Sequence, residues 1–367
     1  MLRRIGIGLA IVIAAAVFGA WWYRARVLAP VAPVSTPAIS SSTLGIQWQE
    51  VPGNPALTGG ACFSWRCAGM TDPTFMQTSS GISLWFETIG IQRGDKGYAS
   101  QGPYVGMATG IFAPSTRFNV AVEAPVVPVG ASGTWDRYVE TPTIREMNGS
   151  LTMWYLGYAA PGFVKSGIGE MQAENASGTI WRRPAEPIYR PAPGSWDSNL
   201  ITGPTVLRGP DGIWRLYYTG VGVQNGTPKD GVGLLTSKDG LHWTAYAHNP
   251  VFEIDAGAWD SEILEQAVVY AHGQYWMWYS GWQGELTPST PISIGLATSS
   301  DGIHWNRYAG NPVITPGAAG SWDDLRVLAP DVAVEPDGSF LMVAYGQSKQ
   351  DAQENKSAGS IGFWRSY

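Results

Sequence analysis

A single unit recurs five times after residue 44, and this repeat restricts the fold more than any other feature of the chain. A glycine turn feeding an apolar, aromatic strand is read at Gly81-Ile-Ser-Leu-Trp-Phe, Gly149-Ser-Leu-Thr-Met-Trp-Tyr, Gly212-Ile-Trp-Arg-Leu-Tyr-Tyr, Gly273-Gln-Tyr-Trp-Met-Trp-Tyr and Gly338-Ser-Phe-Leu-Met-Val-Ala-Tyr, in steps of 68, 63, 61 and 65 residues. A second series falls on Gly106, Gly169, Gly233, Gly295 and Gly362, and a third on the Trp-Asp pairs at 135–136, 196–197, 259–260 and 322–323. A period near 64 residues accommodates about four strands, so the chain is predicted to be all-β, a five-bladed β-propeller over residues 44–367. Gly240-Leu-His-Trp…Asn249-Pro-Val and Gly302-Ile-His-Trp…Asn311-Pro-Val read as outer strands. After Trp364-Arg-Ser-Tyr367 one such copy is lacking, and it is found near the start, as Gly45-Ile-Gln-Trp…Asn54-Pro-Ala. An N-terminal strand is therefore expected to close the ring inside the last blade and remove an exposed sheet edge.

Composition agrees and narrows the partners. Charged residues make up only 14% of the chain, against 46 Gly, 26 Pro and 18 Trp, a balance poor in helix formers. A net charge of −6, with no basic run longer than a pair such as Arg3-Arg4, argues against nucleic acid. Four scattered histidines and two cysteines leave little for a metal cluster, and no dinucleotide fingerprint, Walker loop, Gly-x-Ser-x-Gly elbow or Cys-x-x-Cys is present. Neither metal nor cofactor is expected.

Residues 1–26 read as a membrane anchor or signal. The uncharged run Ile5–Tyr23 is 19 residues long, just enough to span a hydrocarbon core of about 30 Å, and longer than an ordinary signal core. It ends in Trp21-Trp22-Tyr23, an interfacial aromatic belt, and lacks a clean cleavage site. An uncleaved transmembrane helix is favoured over a cleaved signal, with the Pro/Ser-rich residues 27–43 as a tether. The chain is thus expected at the cell membrane, single-pass and monomeric, with the propeller outside the cytoplasm, or secreted if the segment is removed. In that compartment Cys62 and Cys67 are expected to form a disulfide, two free thiols being the alternative.

Features common to all blades are scaffold, and features that differ are candidates for function. Asp136, Asp197, Asp260 and Asp323 belong to the scaffold, as does Ser-x-Asp-Gly-x-His-Trp at 237–243 and 299–305. The starts of the inner strands differ: Thr71-Asp72-Pro73, Glu140-Thr141-Pro142, Thr202-Gly203-Pro204, Glu265-Gln266-Ala267 and Leu328-Ala329-Pro330-Asp331. Acidic groups in blades one, two, four and five, Asp72, Glu140, Glu265 and Asp331, would converge on the axis, where facing carboxylates with separated pKa values suit acid/base hydrolysis of a glycosidic bond, with Asp72, Glu140 and Glu265 the catalytic candidates. Polar strand starts bonded to neighbouring loops are the alternative. Asp331 and Arg326 are candidate substrate contacts, and Trp65 and Trp282, placed on irregular loops, are candidate sugar-stacking residues. The strand 2–3 loops near 90–103, 221–230, 282–291 and 347–358 should shape the cleft.

Met70-Thr-Asp-Pro-Thr-Phe…Leu84-Trp-Phe-Glu and Ala297-Thr-Ser-Ser-Asp-Gly-Ile-His-Trp, on a five-blade repeat, resemble the glycoside hydrolase superfamily of families 43, 32, 62 and 68. The resemblance implies a poly- or oligosaccharide partner and a base or nucleophile role for Asp72. It also implies a general-acid glutamate on blade three, where this chain has Thr202-Gly-Pro in place of Glu-Gly-Pro. Glu140 or Glu265 is then left as the proton donor. The competing expectations are a non-catalytic glycan-binding propeller or envelope scaffold, and a partner-binding platform unrelated to sugar.

Overall fold

The computed structural model describes residues 44–58, 69–78, 81–94, 97–112, 117–121, 124–255, 257–353 and 359–366. The expected anchor and tether, with Cys62, Trp65 and Cys67, lie outside the described residues. Among the described residues no helix is long and apolar enough to cross a membrane.

Two short strands come first, β1 (Trp48–Glu50) and β2 (Leu57–Thr58). Blade one follows as β3 (Met70–Thr78), β4 (Gly81–Gly94), β5 (Gly97–Ile111) and β6 (Arg117–Val120). Blade two comprises β7 (Tyr138–Met147), β8 (Ser150–Tyr158), β9 (Gly167–Ala173) and β10 (Trp181–Arg182). Blade three comprises β11 (Leu200–Arg208), β12 (Trp214–Gln224), β13 (Thr227–Ser237), β14 (Thr244–Ala245) and β15 (Phe252–Glu253). Blade four comprises β16 (Glu262–Ala271), β17 (Gln274–Trp282), β18 (Ser293–Ser299) and β19 (Asn306–Arg307). Blade five comprises β20 (Arg326–Val334), β21 (Phe340–Gln347), the short helix α1 (Lys349–Gln353) and β22 (Ser360–Ser366). Each blade is an antiparallel meander, and β1 and β2 add to β22 of blade five, with Trp48 opposite Ser366 and Leu57 opposite Ile361. The ring is closed by the N-terminal segment, as the displaced outer-strand copy predicted.

Apolar faces meet between successive blades. Phe75, Leu84 and Phe86 pack on Leu341, Val343 and Phe363 between blades one and five, and comparable clusters fill the other four seams. The repeated glycines have a packing reason. A Cβ on Gly157, Gly220, Gly281 or Gly346 would lie 2.3–2.8 Å from the Trp135, Trp196, Trp259 or Trp322 ring, and one on Gly169, Gly233 or Gly295 would lie 2.2–2.7 Å from the Tyr155, Tyr218 or Tyr279 ring. Those tyrosines donate from their hydroxyls to the paired aspartates, Tyr155 to Asp136 (2.9 Å), Tyr218 to Asp197 (2.8 Å) and Tyr279 to Asp260 (2.8 Å). The Trp-Asp repeat is therefore a buried scaffold device. Ser-x-Asp-Gly-x-His-Trp is another: Asp239 and Asp301 accept from the backbone of the two residues after the glycine and from His242 and His304.

Two of the expected strand 2–3 loops are extended hairpins. β4 and β5 pair as far as Gly94 and Gly97, and β12 and β13 as far as Gln224 and Thr227. Asn225 and Gly226, with φ of 52° and 78°, make the second of these turns, a type I′ geometry whose twist matches the flanking strands.

Candidate active site

All five inner strands break register at their axial ends. The break falls between Thr71 and Thr74, Glu140 and Thr143, Thr202 and Thr205, Leu264 and Gln266, and Leu328 and Asp331. At each break one residue takes a left-handed backbone: Asp72 (φ 48°), Thr141 (49°), Gly203 (56°), Glu265 (35°) and Ala329 (54°). A bulge of this kind re-aims a side chain, and four non-glycine residues held at positive φ represent local strain kept by the surrounding fold. Asp72 and Glu265 therefore occupy equivalent positions, whereas Glu140 stands one residue earlier, equivalent to Thr71, Thr202 and Leu264. Blade four was aligned one residue too late from sequence, because its bulge contains Glu265 alone where the other four contain an X-Pro pair.

The bulge residues surround a small axial cavity of about 30 Å³, open to solvent, to which Asp72, Thr141, Gly203, Glu265, Gln266, Ala329 and Asp331 all contribute. Hydrogen bonds join each blade to the next around its wall. Thr141 N–H donates to Glu87 Oε2 (3.1 Å), Gly203 N–H to Thr141 Oγ1 (3.2 Å), Gln266 Nε2 to Gly203 O (2.6 Å) and Ala329 N–H to Ser280 Oγ (2.9 Å). Asp331 completes the circuit from blade five to blade one, accepting from Thr74 Oγ1 (2.8 Å) and Phe75 N–H (3.2 Å).

Four acidic side chains interact at this end of the axis, Asp72 and Glu265 in the cavity lining and Glu87 and Glu140 buried beside it. The carboxyls of Asp72 and Glu265 are hydrogen-bond partners, a contact that requires a proton between them. Asp72 Oδ1 and Glu265 Oε2 are buried without a hydrogen-bond partner. Burial raises both pKa values; Glu265 is pushed well above the ordinary range, with Asp72's charge adding to burial, while hydrogen bonds from Thr71 and Glu265 favour the Asp72 anion. Of the two, Glu265 is raised further, and Asp72 is the one whose hydrogen bonds favour the charge. Glu140 is pushed up to about 8, first by burial and further by the charge of Asp72, against a hydrogen bond from Tyr158. Glu87, on β4, is raised well above its ordinary value by burial and by its acidic neighbours. The close approach of Glu265 depends on Gly203, where a Cβ would lie 2.9 Å from Glu265 Cγ.

The other sequence candidates are placed apart from this group. Asp331 lines the cavity, but its carboxylate is engaged by Arg145 of blade two, through Nη1 (3.1 Å) and Nη2 (2.5 Å), besides its blade-one contacts. Arg326 is buried and donates through Nη2 to the carbonyl of Pro288 (2.7 Å), tying down the 282–291 loop. Trp282 closes β17 rather than standing on an irregular loop; it is 3% exposed, packed with Ile292, Leu328 and Tyr345, and donates to Gly284 O (3.0 Å). Among the described residues no group of three or more His, Cys, Asp or Glu is arranged to hold a metal ion. Sequence reasoning assigned no role to Glu87, Thr141 or Tyr158. Glu87 lies inside the Leu84-Trp-Phe-Glu stretch, and Tyr158 is a tyrosine where blades three, four and five have Val221, Trp282 and Gln347, which is the inequality that marks candidates for function.

No family model matches the chain. Over 164 residues it is 34% identical to an uncharacterized protein of Mycobacterium tuberculosis, found in two strains, a match covering 43% of this chain and 54% of the other. The chain spans about half the length of these curated relatives. A second relative, a type A blood N-acetyl-α-D-galactosamine deacetylase of Flavonifractor plautii, is 26% identical over 156 residues, 41% of this chain and 20% of that one. Among solved structures, a thermostable family-43 glycoside hydrolase superposes with a TM-score of 0.61 at 16% identity, covering 85% of this chain and 91% of that one. An N-acetylgalactosamine deacetylase from F. plautii, in complex with blood group B trisaccharide, gives 0.56 at 14%, covering 85% and 96%. The architecture of this chain is accordingly the five-bladed propeller found in glycoside hydrolases.

Proposed function

We propose that the chain is a membrane-tethered, extracytoplasmic, monomeric propeller that hydrolyses glycosidic bonds of a furanose- or pentose-containing glycan. Asp72 is the base or nucleophile and Glu140 the proton donor. The observation that carries this reading is the convergence of acidic groups at the axial bulges: Asp72 lines the cavity, and burial with the charge of Asp72 pushes the neighbouring Glu140 up to about 8, the range of a proton donor. Acid and base are separated by environment alone, as two-carboxylate hydrolysis requires. Glu265 suits the donor role less well, because a carboxyl hydrogen-bonded directly to Asp72 leaves no room for a sugar between them, where even a retaining pair stands about 5–5.5 Å apart. Its part is to orient Asp72. Glu140 delivers its proton to the leaving oxygen, and Asp72 either attacks the anomeric carbon or takes the proton of an attacking water.

A second reading, non-catalytic glycan binding, is favoured by blade three, which brings Gly203, Pro204 and Thr205 to the cavity and no carboxylate. The relative named for deacetylation of an N-acetyl sugar adds a third chemistry, amide hydrolysis, to be tested beside the first. The deciding experiment offers the chain arabinans, xylans, fructans, aryl glycosides and N-acetylgalactosaminides, with Asp72→Asn and Glu140→Gln alongside. Glycoside cleavage lost in both variants supports the proposal. Release of acetate alone, or retention of glycans without turnover, overturns it.

A further inference from the structure

Tyr158 ends β8 at the mouth of blade two, directly across from Tyr138 of β7. It is 4% exposed, and its hydroxyl donates to Glu140 Oε1 at 2.5 Å. Its ring is gripped from two sides, by Tyr138 (centroids 5.3 Å apart, interplanar angle 23°) and by Phe163 of the strand 2–3 loop (5.0 Å, 62°). The tyrosines repeated in blades two, three and four bind the scaffold aspartates; Tyr158 is a further tyrosine outside that repeat. We infer that Tyr158 is a positioning residue for Glu140, its clamped hydroxyl holding Oε1 so that Oε2 is the oxygen that carries and delivers the proton.

This inference rests on the reading of Glu140 as proton donor, but its geometry stands without it. Oε1 is taken by Tyr158, and Oε2 has no protein partner among the described residues. A proton on Glu140 therefore resides on Oε2, and the clamped ring fixes where that oxygen points. The acidic groups facing Glu140 are Asp72 from β3, Glu87 from β4 and Glu265 from β16, so Tyr158 is the one neighbour among them that favours the anion. It opposes burial and the charge of Asp72, which favour the acid, and so helps determine how far the titration of Glu140 is displaced.

The test is the titration of Glu140 in the full-length chain, followed through 13C-labelled glutamate carboxyls and assigned by the signal missing in Glu140→Gln. In Tyr158→Phe, which keeps the ring stack, the Glu140 midpoint is expected to rise by about one to two pH units, the equivalent of a lost charge-assisted hydrogen bond. Phe163→Leu, which loosens the clamp but keeps the hydroxyl, should move it the same way by less. With an active wild type, the alkaline limb of kcat/KM should follow the midpoint upward in Tyr158→Phe, and kcat should fall about tenfold or more as the acid loses its aim. A moved midpoint in a chain with no hydrolytic activity would sink the catalytic reading and leave this inference standing. An unmoved midpoint in both variants overturns the inference, even if hydrolysis is lost.

Discussion

Closure of the ring by the N-terminal segment can be tested through one side chain. Asn54 donates from Nδ2 to Phe363 O (2.9 Å) and accepts at Oδ1 from Phe363 N–H (3.1 Å), joining residues more than 300 positions apart. Asn249 makes the same two bonds to Leu234 (3.0 and 2.9 Å), and Asn311 to Leu296 (2.9 and 2.8 Å), but within single blades. Replacing any of the three by alanine leaves one N–H and one C=O of a buried strand without their partner. At about 1–3 kcal/mol for each orphaned group, reduced because water can reach these part-buried sites, the cost is about 2–4 kcal/mol. For a domain of this size that is a fall of about 3–6 °C in Tm. Asn54→Ala, Asn249→Ala and Asn311→Ala should therefore destabilise by similar amounts in thermal and urea unfolding, although only the first lies in the N-terminal segment. Loss of stability in Asn249→Ala and Asn311→Ala with none in Asn54→Ala would refute closure, since an undocked segment has no bonds to lose.

Other consequences follow from the axial site. Arg145→Met strands the 5% exposed Asp331 carboxylate and should cost about 3–5 kcal/mol in urea unfolding, with much of the loss recovered in Arg145→Met/Asp331→Asn; equal loss in the single and double variants would exclude the ion pair as the cause. Gly203→Ala sets a Cβ 2.9 Å from Glu265 Cγ at a φ of +56°, so it should destabilise by about 1–3 kcal/mol and break the Asp72–Glu265 contact, seen as a lower Glu265 midpoint by NMR. The sign for Glu140 is set by its elevation from 4.5 to about 8 in the folded chain: the stability due to its protonated form is complete below pH 4.5 and is lost as pH rises toward 8. Glu140→Gln should accordingly gain on the wild type across that window, by a few kcal/mol at most, and a constant difference from pH 4 to pH 9 would contradict the burial that raises it.

The scaffold was legible in the sequence because each blade repeats the same steric demand. Gly157, Gly220, Gly281 and Gly346 must be glycine for the Trp of the Trp-Asp pair to lie on the second strand, so the spacing of those residues records the spacing of the blades. The displaced Asn-Pro copy at Asn54 recorded ring closure in the same way, one asparagine clamping one strand in each blade that carries it. The site was only partly legible, because it depends on the residues that escape repetition and on backbone turns that spacing does not show. Asp72, Glu140 and Glu265 could be named as acids at strand starts. That Asp72 and Glu265 share a bulge position, while Glu140 stands one residue earlier, follows from left-handed φ values at Asp72, Thr141 and Glu265 that composition does not record. Asp331 looked like a fourth member of the same set until its two oxygens were placed on Arg145, Thr74 and Phe75, two blades. A carboxylate so fully bonded closes a seam, whereas Asp72 Oδ1 and Glu265 Oε2 are buried without a hydrogen-bond partner. That difference in satisfaction, rather than acidity itself, separates the groups with chemistry still to do from the group that completes the fold.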